Sequence, residues 1–550
     1  MSSAVSPFPR THAEWRTLAS ESVLEPAAVF VGLATLFTVL RSHNLTAVDG
    51  AVRAFAVFHN SAPQFHGSSH MLYPIYILWW TRAAQSLGFS MADPFSFIGV
   101  AQAMNAFFAA ACAAFLLTVL RSLGVSRWVA LSASIGWAFS RAVSLHATNS
   151  AEPMAGLFWS VAAFACVVYA CRSSKVWLIP PAGVLLAIAM ATYQSMVLIA
   201  IACGLMMLLW KWRGEWQLGA ALKAALLLTV PFFAGLIVVY GTSYYVQHIP
   251  NLSAAMHLFL NSPDREVWGG FTLAKAANIP TGLALSLFPC LPHDFGGLRV
   301  LVLHHGYPLA VLALTLAAVL GGYLGLVRRF IQMSSHSWDE RLAVVVSSYA
   351  AIITTFVLMC YWNPFYDKTW LQPLWLLFLA AAIFADRIRF RYRTITHLAA
   401  ALVGAIIVVN VSIAVRDSRG PWPDVEEATR VKGFVGSHDL VVTDWNAVST
   451  IYHTMWAPDR TWDFVSESGV YHSATPDVLQ TKIDETQRAG ASVYFLGLLD
   501  LDRNAWTPVL TAKCGIPYEA LDHYRNRSTL IASFRSRERL ITLRKFAVEP

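Results

Sequence analysis

The chain has 550 residues, of which 56% are hydrophobic and only 13% are Asp, Glu, Lys or Arg, with a formal net charge of +8. That charged share is about half the ~25% usual in soluble domains, and apolar runs near the ~20 residues a helical membrane crossing needs recur along the chain. A soluble enzyme is excluded, as is an outer-membrane barrel, which would show short alternating segments. No basic stripe with interleaved aromatics appears in a polar segment, so nucleic acid is not a partner. The seven cysteines include no C-x-x-C pair, so neither a redox motif nor a structural zinc site is indicated.

In chain order, residues 1–22 read as a cytoplasmic tail and 24–41 as a retained first helix. A polar loop follows, carrying Asp49, Arg53, His59, His66 and His70. Residues 71–88 are apolar but short and aromatic. Tyr73, Tyr76, Trp79 and Trp80 suit an interfacial belt. Further helices are expected at 94–119, 128–143 and 153–170, then a proline-broken pair at 176–191 and 195–210. Four more follow at 221–240, 308–327, 342–361 and 371–384, and the last at 396–414. If 71–88 does not cross, the basic ends at 121–127, 172–175, 211–213, 328–329 and 386–393 all fall on one side. That is a positive-inside pattern with about eleven crossings and the N-terminus inside.

The expected architecture is therefore a polytopic α-helical membrane protein, its membrane region at 23–414. Its outer loops are 42–93 and 241–307. Within the second, 253–260 and 271–288 are apolar enough to lie at the surface, or one of them to cross. From 415 to 550 the composition turns charged and mixed. SHDLVVTDWN, ATPDVLQTKIDETQRAG and ASVYFLGLLD read as strand, helix and strand, and STLIASF and LITLRKF as two more strands. A small extracytoplasmic α/β domain is expected there. It has no G-x-G-x-x-G or phosphate-loop motif, so it is read as a lid, a packing domain or an acceptor-binding element.

Candidate chemistry lies on the outer rim. Asp49, in AVDGAVR, follows the first helix and could act as general base for an acceptor, or cap a short interfacial helix. Glu152 precedes Pro153 at the start of a helix, with His146, Asn149 and Ser150 close before it. It could be a second carboxylate facing Asp49. Alternatively it is a first-turn acid favoured by the helix dipole, with Ser150 or Asn149 as the cap. Arg141 is a phosphate partner or a snorkelling anchor. In NPFYDKTWLQP, Tyr366, Lys368 and Gln372 sit at the mouth of a helix, and Lys368 is a workable point charge for a phosphate. His70 could position phosphate or acceptor. Tyr193 and Gln194 occupy the break between two short helices. Arg265 is a weaker candidate. No local His/Glu spacing supports a metal site.

This layout resembles the GT-C class of integral-membrane glycosyltransferases: an acid in the first outer loop, a second acid before the fourth helix, and broken helices midway, with a tail outside. It is most similar to bacterial relatives of the protein mannosyltransferases and of the lipid A aminoarabinose transferase. The resemblance covers about 20–414. It implies sugar transfer from a polyprenyl-phosphate carrier to a lipid, glycan or protein acceptor at the outer face of the bacterial cytoplasmic membrane. By this resemblance Asp49 matches the catalytic acid and Glu152 the second acidic position, while Lys368 or Arg265 would contact the carrier phosphate. The resemblance calls for neither a nucleotide nor a covalent intermediate, and it leaves a divalent metal open, since some relatives use one and others do not. Many relatives carry two adjacent acids in the first loop; here Asp49 is followed by Gly50. The rival readings are a secondary transporter and a non-catalytic component of envelope polysaccharide assembly. A transporter would place its ionisable groups near the midplane, whereas here they cluster at the rim.

Overall fold

The computed structural model describes residues 12–43, 53–54, 57–58, 71–211, 218–246, 271–288, 340–361, 364, 367–388, 393–419, 423–443, 447–456, 461–463, 476–501, 503, 517–535 and 540–547. The expected helix at 308–327 lies outside them. Among the described residues, six helices are long and apolar enough to cross a membrane. Their windows include Phe95–Ser122, Pro153–Ser173, Glu340–Tyr361 and Asp367–Arg387. This is the layout of a multi-pass helical membrane protein.

The membrane region begins with α1 (His12–Val39), packed on α3 (Pro94–Ser122). Between them α2 (Tyr73–Ser86) has 14 residues, ~21 Å at ~1.5 Å per residue and too short for a ~30 Å crossing. It packs on α3 through aromatic side chains. The Tyr73 hydroxyl meets Asn105 at 3.3 Å, and the Trp80 ring meets Phe107 at 5.2 Å. The Tyr76 ring meets Phe108 at 6.2 Å. The belt assignment needs correcting: Tyr73 and Tyr76 turn inward and are buried, whereas Trp79 is exposed. Aromatic residues one turn apart share a face, and here that face meets α3.

The expected single helix at 128–143 is broken. It forms α4 (Arg127–Ala138) and α5 (Arg141–Thr148), with Ser140 between them in an extended turn. The break re-aims α5 toward the start of α6 (Pro153–Ser173). Next come α7 (Ile179–Thr192), a 3₁₀ turn at Gln194–Leu198, α8 (Ile199–Lys211) and α9 (Leu218–Val246). Residues 271–288 form two short helices, α10 (Leu273–Ala277) and α11 (Ile279–Leu287), too short to cross. Three longer helices follow: α12 (Glu340–Tyr361), α13 (Asp367–Ile388) and α14 (Arg393–Arg419).

Charge sorts to two layers. At one end Glu25 pairs with Arg121 and Arg127, Arg172 with Glu340 at 2.9 Å, and Arg341 with Asp386 at 3.2 Å. At the other end Glu152 pairs with Lys368. The helix α6 sets Glu152 and Arg172 ~30 Å apart, about one hydrocarbon thickness. The basic turns at 121–127 and 172 therefore share one end of the bundle, and Glu152 lies at the opposite end.

The C-terminal part contains α15 (Pro423–Phe434), β1 (Leu440–Thr443), α16 (Ala447–Trp456), β2 (Thr461–Asp463), α17 (Pro476–Arg488), β3 (Val493–Leu496), β4 (Ser528–Arg535) and β5 (Leu540–Phe546). The sheet order is β2-β1-β3-β5-β4, parallel across β2, β1 and β3 and antiparallel across β3, β5 and β4. Strands β1 and β3 are buried along their whole length, as parallel strands covered on both faces must be. Leu440, Val442, Val493 and Phe495 cluster with Leu479 and Ile483 of α17. The alternate residues Val441 and Leu496 join a second cluster with Val431 and Ile451 of α15 and α16.

Candidate active site

The site is assembled by four segments that meet at the end of the bundle opposite the basic turns. The first is the exit of α1. There Ser42 N–H donates to Thr148 O at 3.0 Å, Gln102 donates to Ser42 O at 2.8 Å, and His43 N–H donates to Asp417 O at 3.0 Å. The loop carrying Asp49 therefore departs beside the C-terminus of α5, four residues before Glu152. It returns beside the α7 break, where Leu72 N–H reaches Ala191 O and the Tyr76 hydroxyl meets Thr192 at 3.1 Å.

The second segment is the turn from α5 into α6. Asn105, buried mid-helix in α3, holds it. Its amide donates to Asn149 O and Ala151 O, both at 2.7 Å, and to the Tyr73 hydroxyl. These two carbonyls lie outside a helix, where buried backbone oxygens need donors. Glu152 occupies the cap position of α6 but makes no side-chain capping bond. The Ser150 hydroxyl has no hydrogen-bond partner among the described residues. Ser150 is therefore not the cap of α6.

The Glu152 carboxylate instead turns to the third segment, α13. Glu152 is fully buried, and its Oε2 lies 3.3 Å from Nζ of Lys368, which is 4% exposed. Helix α13 starts at Asp367, earlier than the expected 371, so Lys368 and Gln372 sit one turn apart on one face. Lys368 reaches α6. Gln372, with its amide oxygen facing the available donor, donates to Ser195 O at 3.1 Å and accepts from Ile199 N–H at 2.6 Å. The same face of α13 thus fixes both the acid and the break between α7 and α8. The fourth segment is that break. Gly156, one turn into α6, lets the Tyr193 backbone and Cβ close on it; a Cβ at 156 would lie 2.9 Å from the Tyr193 Cβ.

Several buried polar atoms here have no hydrogen-bond partner among the described residues: Glu152 Oε1, Ser150 Oγ, Asn105 Oδ1 and both ring nitrogens of His146. Buried polar groups are normally satisfied, so their concentration around one ion pair marks a site that can accept a polar ligand. Burial, then the nearby charges of Lys368 and Arg141, hold the His146 imidazole down to about 3, so it is neutral at ordinary pH. Burial and then the Glu152 carboxylate push the Tyr73 phenol well up, keeping it a hydrogen-bond donor. Among the described residues no group of three His, Cys, Asp or Glu side chains could hold a metal.

Of the residues singled out from the sequence, Arg141, His146, Glu152, Tyr193 and Lys368 come together here, and Gln194 lies half-buried in the adjoining turn. Arg53 is half-buried in the first loop. Asp49, His70, Arg265 and Tyr366 lie outside the described residues. Sequence reasoning missed Asn105, Tyr73 and Gln102 as site residues. The signal for the two amides is present: polar side chains inside the apolar run GVAQAMNAFF, which are costly in a membrane unless they face partners.

No protein-family model and no curated protein matches the sequence. Two solved structures overlap nearly all of it. One is ArnT from Cupriavidus metallidurans bound to undecaprenyl phosphate, at 9% identity and a TM-score of 0.49 over 97% of this chain and 98% of that one. The other is the same protein in its apo state, at 12% identity and a TM-score of 0.40 over 96% and 98%. The solved structures this chain is similar to thus include those of ArnT, a lipid A aminoarabinose transferase.

Proposed function

We propose that this chain is a glycosyltransferase that moves a sugar from a polyprenyl-phosphate carrier to a lipid, glycan or protein acceptor at the outer face of the bacterial cytoplasmic membrane. The observation that carries the reading is the buried Glu152–Lys368 pair, close to buried polar atoms that have no hydrogen-bond partner among the described residues and to the described segments at 42–43 and 71–76 that flank the first outer loop. An ionisable cluster at the bundle's end, one hydrocarbon thickness from the basic turns, suits a substrate whose lipid lies in the membrane and whose sugar lies in water.

In this reading Asp49 takes the proton from the acceptor hydroxyl or amine. The acceptor atom attacks the anomeric carbon from the face opposite the phosphate. The bond from that carbon to the phosphate oxygen breaks, and its electron pair leaves with the prenyl phosphate. Lys368 and Arg141 offset the second negative charge that develops there. Glu152 holds Lys368 in place and presents Oε1 to a sugar hydroxyl. Tyr193 and Gln194 line the break where the prenyl chain enters, and its apolar burial contributes affinity. His70, Arg53, Arg265 and Tyr366 are carrier or acceptor contacts from the outer loops. The 415–550 region stands outside the membrane and covers the site. No step is routed through a metal.

The test is turnover. Purified protein in detergent is supplied with a panel of undecaprenyl-phosphate sugars together with a bacterial envelope extract as the source of lipid, glycan and protein acceptors, and release of free undecaprenyl phosphate is followed. Asp49→Asn should lower release by about 10²–10⁴-fold, the usual contribution of a positioned base. Glu152→Gln should lower it as well. A rate for Asp49→Asn equal to that of the native chain sinks the assignment of Asp49, and no release from any donor sinks the function.

A further inference from the structure

Asn105 and Tyr73 hold the turn that leads to Glu152, and neither enters the reaction above. Both are fully buried, as are Ser150 and Glu152. Asn105 has two amide hydrogens to give. Its nitrogen lies 2.7 Å from Asn149 O and 2.7 Å from Ala151 O, so the two carbonyls that flank Ser150 take them. Ala151 O belongs to the peptide bond that begins Glu152, which sets this amide one residue from the carboxylate. The same nitrogen is 3.3 Å from the Tyr73 hydroxyl, a longer third contact in which the phenol oxygen is the acceptor.

Two capacities are left over. The Tyr73 hydroxyl still has its own proton to donate, and Asn105 Oδ1 has no hydrogen-bond partner among the described residues. An amide oxygen lies ~2.2 Å from its nitrogen by bond geometry, so Asn105 Oδ1 is within ~5.5 Å of the Tyr73 oxygen, about two O–H···O lengths of ~2.8 Å. One oxygen placed between them can accept from Tyr73 and donate to Asn105. A hydroxyl does both. An ammonium has no lone pair for the phenol proton, and an ionised phosphate or carboxylate oxygen has no proton for the amide oxygen. The unpartnered Glu152 Oε1 close by favours a neutral, hydroxyl-bearing ligand over an anion at this spot. Resting on the sugar-transfer reading, we propose that Tyr73 and Asn105 read one hydroxyl of the donor sugar, Tyr73 donating to it and Asn105 Oδ1 accepting from it, and so select which sugar is transferred. The carrier phosphate, which needs donors, goes to Lys368 instead. No bond is made or broken in this step. Burial sets the strength, because a sugar lacking that hydroxyl leaves a buried donor and a buried acceptor without their partner.

The experiment is calorimetric titration of the full-length protein in detergent with no acceptor present, so that only the donor is read. The ligands are a short-chain prenyl-phosphate form of the sugar that turns over fastest, its singly deoxygenated analogues and its singly amino-substituted analogues. One deoxy analogue should bind about 10- to 100-fold more weakly than the parent, the usual cost of orphaning buried partners. The ammonium analogue at the same carbon should be rejected as well. Tyr73→Phe removes one oxygen atom and should melt with the native chain. It should bind the parent about tenfold more weakly and lose most of the discrimination at that carbon, as coupled partners do. Bare short-chain prenyl phosphate should bind the variant and the native chain alike. Equal binding of the parent and every deoxy analogue by the native chain overturns the proposal without reference to any variant, and a water alone then fills the pair. Discrimination undiminished in Tyr73→Phe also overturns it. Turnover of a donor with no hydroxyl discrimination sinks this inference alone. If no donor binds and none releases its prenyl phosphate, the functional reading falls with it.

Discussion

Replacing Lys368 by methionine removes the cation bonded to a carboxylate that has no exposure. In the native chain Glu152 Oε2 has Lys368 at 3.3 Å, and Oε1 has no hydrogen-bond partner among the described residues. After Lys368→Met no described residue donates to either oxygen of that carboxylate. Breaking a buried pair from one side costs about 3–5 kcal/mol, because the remaining charge is left uncompensated. Removing both charges is far cheaper, since neutral groups of similar volume pack without that penalty. The single variant should therefore melt several degrees below the native protein in detergent, and Glu152→Gln/Lys368→Met should regain most of the loss. Both should be inactive in sugar release. The assay is thermal melting by intrinsic fluorescence, run beside the turnover measurement. A single variant that melts with the native chain, or a double variant no better than the single, would refute the claim that the two side chains form one buried electrostatic unit.

Other outcomes follow from the same geometry. Asn105→Ala leaves the Asn149 and Ala151 carbonyls without their donor. At about 1–3 kcal/mol for each orphaned group, it should lower the melting temperature and weaken turnover, whereas Asn→Ala at a lipid-facing position should not. Gly282→Ala drives a Cβ into the Pro364 carbonyl and against the Trp370 indole, which itself donates to that carbonyl at 2.6 Å. Loss of monodisperse elution or a strong melting decrease is expected, and native behaviour would count against the close packing of α11 on the start of α13. The depressed His146 gives a pH signature. An unfolded histidine titrates near 6.5 and this one at about 3, so between those values the unfolded chain binds the extra proton. Stability should then fall as pH drops from ~6.5 toward 3, at up to ~1.4 kcal/mol for each pH unit crossed and so by a few kcal/mol in all. His146→Gln should flatten part of that slope, read by melting temperature against pH.

Part of this arrangement is legible in the sequence and part is not. Glu152 stands out because it follows His146, Asn149 and Ser150 closely at an apolar boundary. Its partner does not, because Lys368 is 216 positions away and nothing local sets the register between α6 and α13. The strand segments LVVT, VYFL, STLIASFR and LITLRKF are readable from β-branched and apolar runs. The three-residue β2 is not, being too short to carry a period, and α15 and α16 are hidden in sequence of mixed polarity. The expectation that 71–88 lies along the interface rests on the distribution of charge along the chain. The 14-residue length of α2 is shorter than a ~30 Å crossing needs. Tyr73 is misjudged from sequence because an aromatic near a membrane boundary reads the same whether it faces lipid or a buried asparagine.

Sugar transfer at this site requires the donor phosphate to lie against Lys368, with Asp49 across the anomeric carbon from it. The most direct measurement is a cryo-EM structure of the protein with a polyprenyl-phosphate sugar bound. Phosphate oxygens are expected within hydrogen-bond reach of Lys368, ~3 Å, and the Asp49 carboxylate on the far side of the sugar, sharing the cleft with Glu152. Phosphate density at the opposite end of the bundle, beside Arg172 and Arg341, would contradict that placement. So would an Asp49 more than ~15 Å from Glu152 with no cleft between them, far beyond the reach of a shared substrate.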